Sequence, residues 1–431
     1  MPKSAREGAL LTLNDIEKNK AYSNLAGQSY YKELSKQDKA LMTELVMGVV
    51  RHKLYLDYCI KKLSSIKINK ISQSVINILR LGIYQIEFLD KIPPSAAVNE
   101  CVKLAKKYEY EASGFVNAVL RNYLRKRDGI LDKNLPFEEF LSIKYSYPLW
   151  MVKRFVKIFG EGAREFLSAS NQVAPIFVRK NTLVCDDLPQ DKFSKTDLLP
   201  ETYVLNKGIS VHEDEDFAEG KYIVQDAASQ MVAAALCPKK GQRVLDMCAA
   251  PGGKTTHIAA LMENAGEVIA WDIHQSRIKL IGDNAKRLKI DIIKTYEKDA
   301  SVYDENLKDS FDAVLVDAPC SGLGIIRRKP DIKWNRKEED ISGLVSLQKS
   351  LLDNAAKYVK PGGVLVYSTC TLLEEENLGQ VEDFLKGHPD FYLCEINLPI
   401  EKPTLKEGYV NLYPHIDNTD GFFICKMIKR C

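Results

Sequence analysis

Residues 243–255 read Arg243-Val244-Leu245-Asp246-Met247-Cys248-Ala249-Ala250-Pro251-Gly252-Gly253-Lys254-Thr255. A short apolar run gives way to small residues and two glycines, and a helical pattern follows from Lys254 to Met262. This is the order strand, tight turn, helix. The glycines let the backbone pass close to a ligand, and the first turn of the helix offers N–H groups without internal partners. Gly-Gly-Lys-Thr also invites a phosphate-loop, nucleotide-binding reading. That motif needs a glycine five residues before Gly253, and Cys248 stands there.

The same alternation continues downstream. Strands are predicted at Glu267–Asp272, at residues 292–296, at Phe311–Asp317 and at residues 363–369, with helical patterns between them. Strands separated by helices predict a mostly parallel sheet covered on both faces, and such sheets bind ligands beyond the C-terminal ends of their strands. The expected catalytic domain, residues 220–431, is therefore an α/β Rossmann-like domain.

Upstream the pattern differs. Residues 40–51, 75–86 and 114–127 carry apolar groups at helical spacing, the second almost all round, so it is predicted to be central. Pro93-Pro94 ends one segment and Ser95 is expected to cap the helix that starts at Ala96. Residues 1–145 thus read as an all-α domain. Residues 146–219 read as a small α+β connecting module: helical from Trp150 to Ala169, a strand at residues 175–179, and an acidic surface turn at Glu213-Asp214-Glu215-Asp216.

Composition narrows the function classes. Hydrophobic residues make up 45% of 431 and charged residues 28%, which suits a multidomain globular chain. No stretch approaches the apolar length of a membrane helix, and Met1 to Glu7 lacks the apolar core of a secretion signal. A cytoplasmic protein is expected. The ten cysteines contain no Cys-x-x-Cys pair, which argues against a zinc ribbon and a disulfide framework. No metal site is expected. Residues 1–150 hold 24 Lys+Arg against 16 Asp+Glu, and the remainder 37 against 42, so a basic front end precedes a mildly acidic body. An anionic macromolecule is one partner for such a front end, and solvated helix faces are the plain alternative.

The candidate site residues fall at the predicted strand ends. The turn Cys248, Ala249, Ala250, Pro251, Gly252, Gly253 and Lys254 is the cofactor cradle. Asp272, closing the second strand, can accept hydrogen bonds from both hydroxyls of a ribose, although it can equally cap the helix after it. Asp299, after the third strand, is placed at an adenine edge or in a solvated loop. The fourth strand ends in Asp317-Ala318-Pro319-Cys320 and the fifth in Ser368-Thr369-Cys370. A lone cysteine at a strand end is usually packing. Two at neighbouring ends, with the Asp317 carboxylate, form a candidate nucleophilic centre. Arg327, Arg328, Lys329, Lys333 and Trp334 follow directly and combine phosphate-binding charge with a stacking surface. Arg121 and Arg125 form a second cationic cluster.

These motifs carry a resemblance. The turn from Cys248 to Thr255, Asp317-Ala318-Pro319-Cys320, Ser368-Thr369-Cys370 and Asp420-Gly421-Phe422-Phe423 resemble the RNA cytosine-C5 methyltransferases. Asp38-Lys39-Ala40-Leu41, residues 93–99 and residues 114–121 look like the helical RNA-binding domain of the antitermination factor NusB. The resemblance implies S-adenosylmethionine as cofactor and a cytosine of 16S rRNA as substrate, in an exposed loop before full subunit assembly, acted on by a monomer. It further implies that Cys370 attacks C6 of the base and that Cys320 promotes product release. DNA cytosine methyltransferases attack from the Pro-Cys position instead, so the presence of both thiols points to RNA. A tRNA-directed enzyme of the same chemistry and an RNA-binding module with a vestigial catalytic fold are the competing readings. The chain departs from the family at Arg179-Lys180-Asn181, where Arg-Val-Asn is usual, and at Ala174-Pro175, where two prolines are. Both departures bear on how the middle module meets RNA rather than on the chemistry.

Overall fold

Apolar spacing in residues 40–127 becomes a stack of helices around one buried centre. The computed structural model describes residue 2 and residues 4–19, 28–31 and 34–431. Met1 and Lys3 of the opening segment lie outside the described residues. The chain divides into two compact units, Met1–Asn171 with Lys329–Asn335, and Gln172–Arg328 with Arg336–Cys431.

In the first unit, helix Gln73–Phe88 is the centre, with Val75 through Ile86 all buried. Helices Ala5–Asn19, Lys36–Leu63, Pro94–Tyr108 and Ser113–Lys126 belong to the same apolar core. Ser35 and Ser72 cap their helices by accepting from the amides of Asp38 and Val75. Ser95 does not cap as expected. Pro94 occupies the first helical position, where its missing N–H costs nothing, and Ser95 lies inside the turn. The one buried cation of the central helix, Arg80, is satisfied by Asp57 at 2.7 and 2.8 Å and by Glu17 at 2.9 Å. The unit continues through helices Phe137–Tyr145, Leu149–Phe159 and Ala163–Ala169, the helical reading of residues 150–169 being broken at Gly160, where φ is +58°.

The long helix Lys36–Leu63 is kinked at His52, whose φ and ψ are −108° and 15°. Around the kink, four backbone groups that an uninterrupted helix pairs with one another take side-chain partners. The amides of Leu54 and Tyr55 donate to Ser146 Oγ at 2.8 and 3.4 Å. The carbonyl of Val50 accepts from Trp334 Nε1 at 2.7 Å, and that of Arg51 from Lys333 Nζ at 3.0 Å. Lys333 also donates to Asn171 Oδ1 at 2.7 Å, lies 3.6 Å from the centre of the Tyr147 ring, and is 1% exposed. This corrects the expectation that Lys333 and Trp334 face RNA: both complete a helix interior.

The second unit contains two sheets. β1 (Phe177–Lys180), β2 (Phe193–Lys195), β3 (Thr202–Leu205) and β4 (Tyr222–Val224) form an antiparallel sheet in the order β2-β3-β1-β4. The strands of the segment read as a connecting module therefore belong to this unit, with the short helix Glu215–Ala218, and its helices Leu149–Phe159 and Ala163–Ala169 to the first. The larger sheet holds β5 (Arg243–Asp246), β6 (Glu267–Asp272), β7 (Ile293–Glu297), β8 (Phe311–Asp317), β9 (Val359–Thr369), β10 (Phe391–Leu393), β11 (Tyr409–Leu412) and β12 (Phe422–Lys429). Its order is β10-β12-β9-β8-β5-β6-β7, with β11 on β12. All pairs from β7 to β9 are parallel, as the alternating pattern predicts, and β10 to β12 add antiparallel pairs. The chain runs outward from β5 through β6 to β7, then returns to β8 on the other side of β5. A ligand crevice opens at such a reversal of strand order, here between the C-terminal ends of β5 and β8.

Candidate active site

β5 ends at Asp246 and the cofactor turn begins at once. The Ala249 amide donates to the carbonyl of Trp271 on β6, which fixes the turn against the neighbouring strand. Gly252 has φ of +99°, and a Cβ there would stand 3.1 Å from Ile281 Cα, so glycine is required twice over. Helix Gly253–Leu261 follows without a side-chain cap, leaving its first amides turned to the turn. Asp246 is fully buried beneath. Its Oδ2 accepts from Thr255 Oγ1 at 2.7 Å and its Oδ1 has no partner, and burial pushes its carboxyl up to about 7. Burial likewise drives the Cys248 thiol upward, so Cys248 is a lining residue held protonated.

Asp272, at the end of β6, is 5% exposed; its Oδ1 accepts from the His274 amide at 3.1 Å and its Oδ2 lies 3.3 Å from Arg277. It thus both opens the next helix and presents a carboxylate beside the turn. Asp299 is exposed, with Oδ1 accepting from the Ser301 amide and hydroxyl.

The chemical groups meet one strand further on. Asp317 and Ser368 are register partners on parallel β8 and β9. Asp317 Oδ1 accepts from Ser368 Oγ at 2.8 Å, and Oδ2 pairs with Lys254 Nζ at 2.7 Å. Lys254 also sits 5.1 Å from the centre of the Phe422 ring. Past the strand ends, the sulfurs of Cys320 and Cys370 lie 3.3 Å apart, both partly exposed. The hydrogen bond with Cys370, followed by burial, holds the Cys320 thiol well above its ordinary value. The backbone of Cys370 is fixed by a glycine contact: its carbonyl accepts from Gly324, whose own carbonyl accepts from Gly421, both at 2.9 Å. A Cβ on Gly324 would come 2.1 Å from the Gly421 carbonyl oxygen. Arg336 donates to the carbonyls of Cys320 and Ser321, each at 3.3 Å.

Two more expected RNA contacts are corrected here. Arg327 is 5% exposed and donates to Asp420 Oδ1 at 2.8 Å and to the Asn418 carbonyl. Arg328 donates to Asp420 Oδ2 and Asp226 Oδ2, each at 2.6 Å, and to the Pro175 carbonyl. Two guanidiniums facing two carboxylates neutralise a buried cluster, which leaves them internal. Lys329, Arg121 and Arg125 are exposed, the two arginines bonding to Asn117 and Asn122 one turn away on their own helix. Sequence reasoning missed Arg179. From β1 it donates to the Gly253 carbonyl at 2.7 Å and to Thr256 Oγ1 at 3.0 Å, bracing the cofactor helix from behind. Its signals were a charged residue closing an apolar strand and the match of Arg179 and Asn181 to the family's Arg-Val-Asn pattern. Asn181, next but one, binds the carbonyls of Gly220 and Leu288, so this stretch staples backbone together.

The chain is similar to known proteins along its whole length. Residues 233–428 match the family model described as 16S rRNA methyltransferase RsmB/F, and residues 3–125 match the NusB family. A probable ribosomal RNA small subunit methyltransferase B from Bacillus subtilis is 40% identical, over 99% of each chain. Among solved structures, that of PH0851 is similar with a TM-score of 0.82 at 29% identity, covering 100% of both chains. NSun6 from Pyrococcus horikoshii, solved with the S-adenosylmethionine analogue SFG, is similar with a TM-score of 0.56 at 26% identity, over 64% of this chain and 97% of that one.

Proposed function

The chain belongs to the 16S rRNA methyltransferase RsmB/F family, and from that premise we propose that it methylates C5 of a cytosine in 16S rRNA through a transient bond between the Cys370 sulfur and C6 of the base. S-adenosylmethionine is its cofactor, and when bound it supplies an electrophilic methyl group. The residues present fit that group: the turn of Cys248 to Gly253 leads into a helix whose first amides carry no side-chain cap, and the Asp272 carboxylate stands at the neighbouring strand end, where a ribose diol binds. Asp299, Lys254 and Asp317 complete the proposed cofactor side.

C5 of cytosine is a poor nucleophile. Addition of the Cys370 thiolate to C6 forms an S–C6 bond and moves the double-bond electrons to C5 and the ring, making C5 enamine-like. Asp317, held by Lys254 and Ser368, addresses the N3–N4 edge as the ring takes up that density. After C5 is methylated its proton passes to solvent, the C–H electron pair re-forms C5=C6, and the S–C6 pair departs with the Cys370 sulfur. Cys320, 3.3 Å from that sulfur and held as a neutral thiol in the free protein, hands its proton to the Cys370 sulfur as the S–C6 bond breaks. The target must be unstacked to reach the thiols, which favours a single-stranded loop.

We assign residues 220–431 to catalysis, 146–219 to a connecting role and 1–145 to RNA binding, with Lys329, Arg121 and Arg125 as exposed phosphate contacts. The observation that carries the reading is the pair of sulfurs beside Asp317, at the ends of adjacent parallel strands. Incubation with labelled cofactor and deproteinised 16S rRNA, followed by mapping of the modified base, tests it. Label on any atom but cytosine C5 overturns it.

A further inference from the structure

Three glutamates in a row, Glu374-Glu375-Glu376, follow Cys370 and read as a solvated charge run. The third does not behave so. Glu376 is 0% exposed, and its backbone carbonyl accepts from Tyr367 OH at 2.7 Å, which pins it beneath β9. Its carboxylate accepts three hydrogen bonds, two from Ser321 and one from Gln348. Oε2 accepts from the Ser321 amide at 2.9 Å and from Gln348 Nε2 at 3.0 Å, while Oε1 accepts from Ser321 Oγ at 2.5 Å. Ser321 Oγ in turn lies 2.6 Å from Thr371 Oγ1. Ser321 follows Cys320 and Thr371 follows Cys370. Gln348 also donates to the Pro319 carbonyl at 2.9 Å, so the residues on both sides of Cys320 are held from one carboxylate.

We propose that Glu376 is a positioning residue that ties the Cys320 and Cys370 loops into one rigid element and so sets the spacing of the two sulfurs. The inference rests on the proposed roles of the thiols. A buried carboxylate is costly to desolvate, and here three hydrogen bonds satisfy it. Its place beside Cys320 adds to the Cys370 hydrogen bond and burial in raising that thiol. The other groups around Cys320 are Tyr367, the Asp317–Lys254 pair and Arg336, which binds the Cys320 carbonyl. Glu376 is thereby placed to keep the proton-giving thiol distinct from the attacking one.

The test uses the full-length protein and two variants, Glu376→Ala and Glu376→Gln. Diamide, which takes two electrons and two protons from a pair of thiols to form a disulfide, reports the sulfur spacing without any turnover. Peptide mapping follows the Cys320–Cys370 product. Glu376→Ala is expected to slow that cross-link about tenfold or more, in keeping with the sensitivity of such geometry to ångström shifts. It should also raise the ratio of denaturation-resistant protein–RNA adduct to methylated RNA at equal folded fraction. Glu376→Gln keeps an acceptor for Ser321 and Gln348 and is expected to restore the cross-linking rate to within about threefold. Because it removes the carboxylate, adduct breakdown should fail at a lower pH than in the natural protein. Wild-type cross-linking and adduct ratio in Glu376→Ala overturn the inference. If that variant does not fold, an unshifted pH limb in Glu376→Gln overturns it. A Cys370→Ala variant that methylates normally would instead sink the underlying reading, and the diamide measurement stands apart from that outcome.

Discussion

Cys320 Sγ and Cys370 Sγ are 3.3 Å apart although 50 residues separate them in sequence. Adjacency of β8 and β9 accounts for this: Asp317 pairs with Ser368, and the cysteines follow that register pair by three and two residues. Two thiols so close cannot have the same task, since ionising one raises the cost of ionising the other. Cys370→Ala is therefore expected to reduce methylation of 16S rRNA to background while cofactor affinity stays within about twofold, because no atom of the cofactor turn is removed. Cys320→Ala should permit attack and methyl transfer but stall the release, giving a protein–RNA adduct that survives denaturing electrophoresis. The opposite assignment of adduct and inactivity between the two variants would reverse their roles.

Asp246 provides a pH signature of the fold. Its carboxyl is raised by burial from 3.8 to about 7, so between those values the folded protein holds a proton that the unfolded chain has released. Stability linked to this group is full below about pH 4 and is lost as pH rises through about 7. Asp246→Asn, which keeps an acceptor for Thr255, should flatten that decline in urea midpoints measured from pH 5 to 8. An unchanged slope would mean that Asp246 ionises freely.

Strands β5, β6, β8 and β9 were legible because each holds an apolar run long enough for a buried parallel strand, whereas β7 is a half-exposed edge strand with only a 3-10 turn between it and β8. The same runs delivered the turn, Asp317 and both thiols, since chemistry in this topology gathers at strand ends. Arg327, Arg328, Lys333 and Trp334 were misread for a different reason. Their charge and aromaticity are local, but the partners that absorb them, Asp226, Asp420, Val50 and Arg51, are 92 to 284 residues away. Glu376 was hidden among like neighbours, of which Glu374 is exposed. Strand β12 carries a quoted motif at its start, yet its near-continuous apolar run gives no hint that it pairs antiparallel with β9.

The Arg327 cluster makes a stability prediction. Arg327 and Asp420 have side chains 4% and 3% exposed, and Asp226 lies within the same cluster. Arg327→Met leaves two carboxylates facing Arg328 alone. Breaking a buried pair from one side costs about 3–5 kcal/mol. Urea unfolding should register a loss of that order, and a loss below about 1 kcal/mol would show the cluster to be solvated.

Lys333 and Arg121 separate a buried amine from an exposed cation. Lys333→Met removes the donor to the carbonyls of Arg51 and Tyr145 at the helix kink, and each buried acceptor left unpaired costs about 1–3 kcal/mol. Its urea midpoint should fall, while the dependence of RNA affinity on salt stays as in the natural protein, because no phosphate contact is lost. Arg121→Ala should do the reverse. Its side chain bonds only one turn back, to Asn117, so stability is expected to change by less than about 0.5 kcal/mol. The slope of log affinity against log salt should shrink by about 0.7–0.9 for one phosphate released. A reduced slope in the Lys333 variant would return that residue to the RNA interface, and an unchanged slope in the Arg121 variant would remove Arg121 from it.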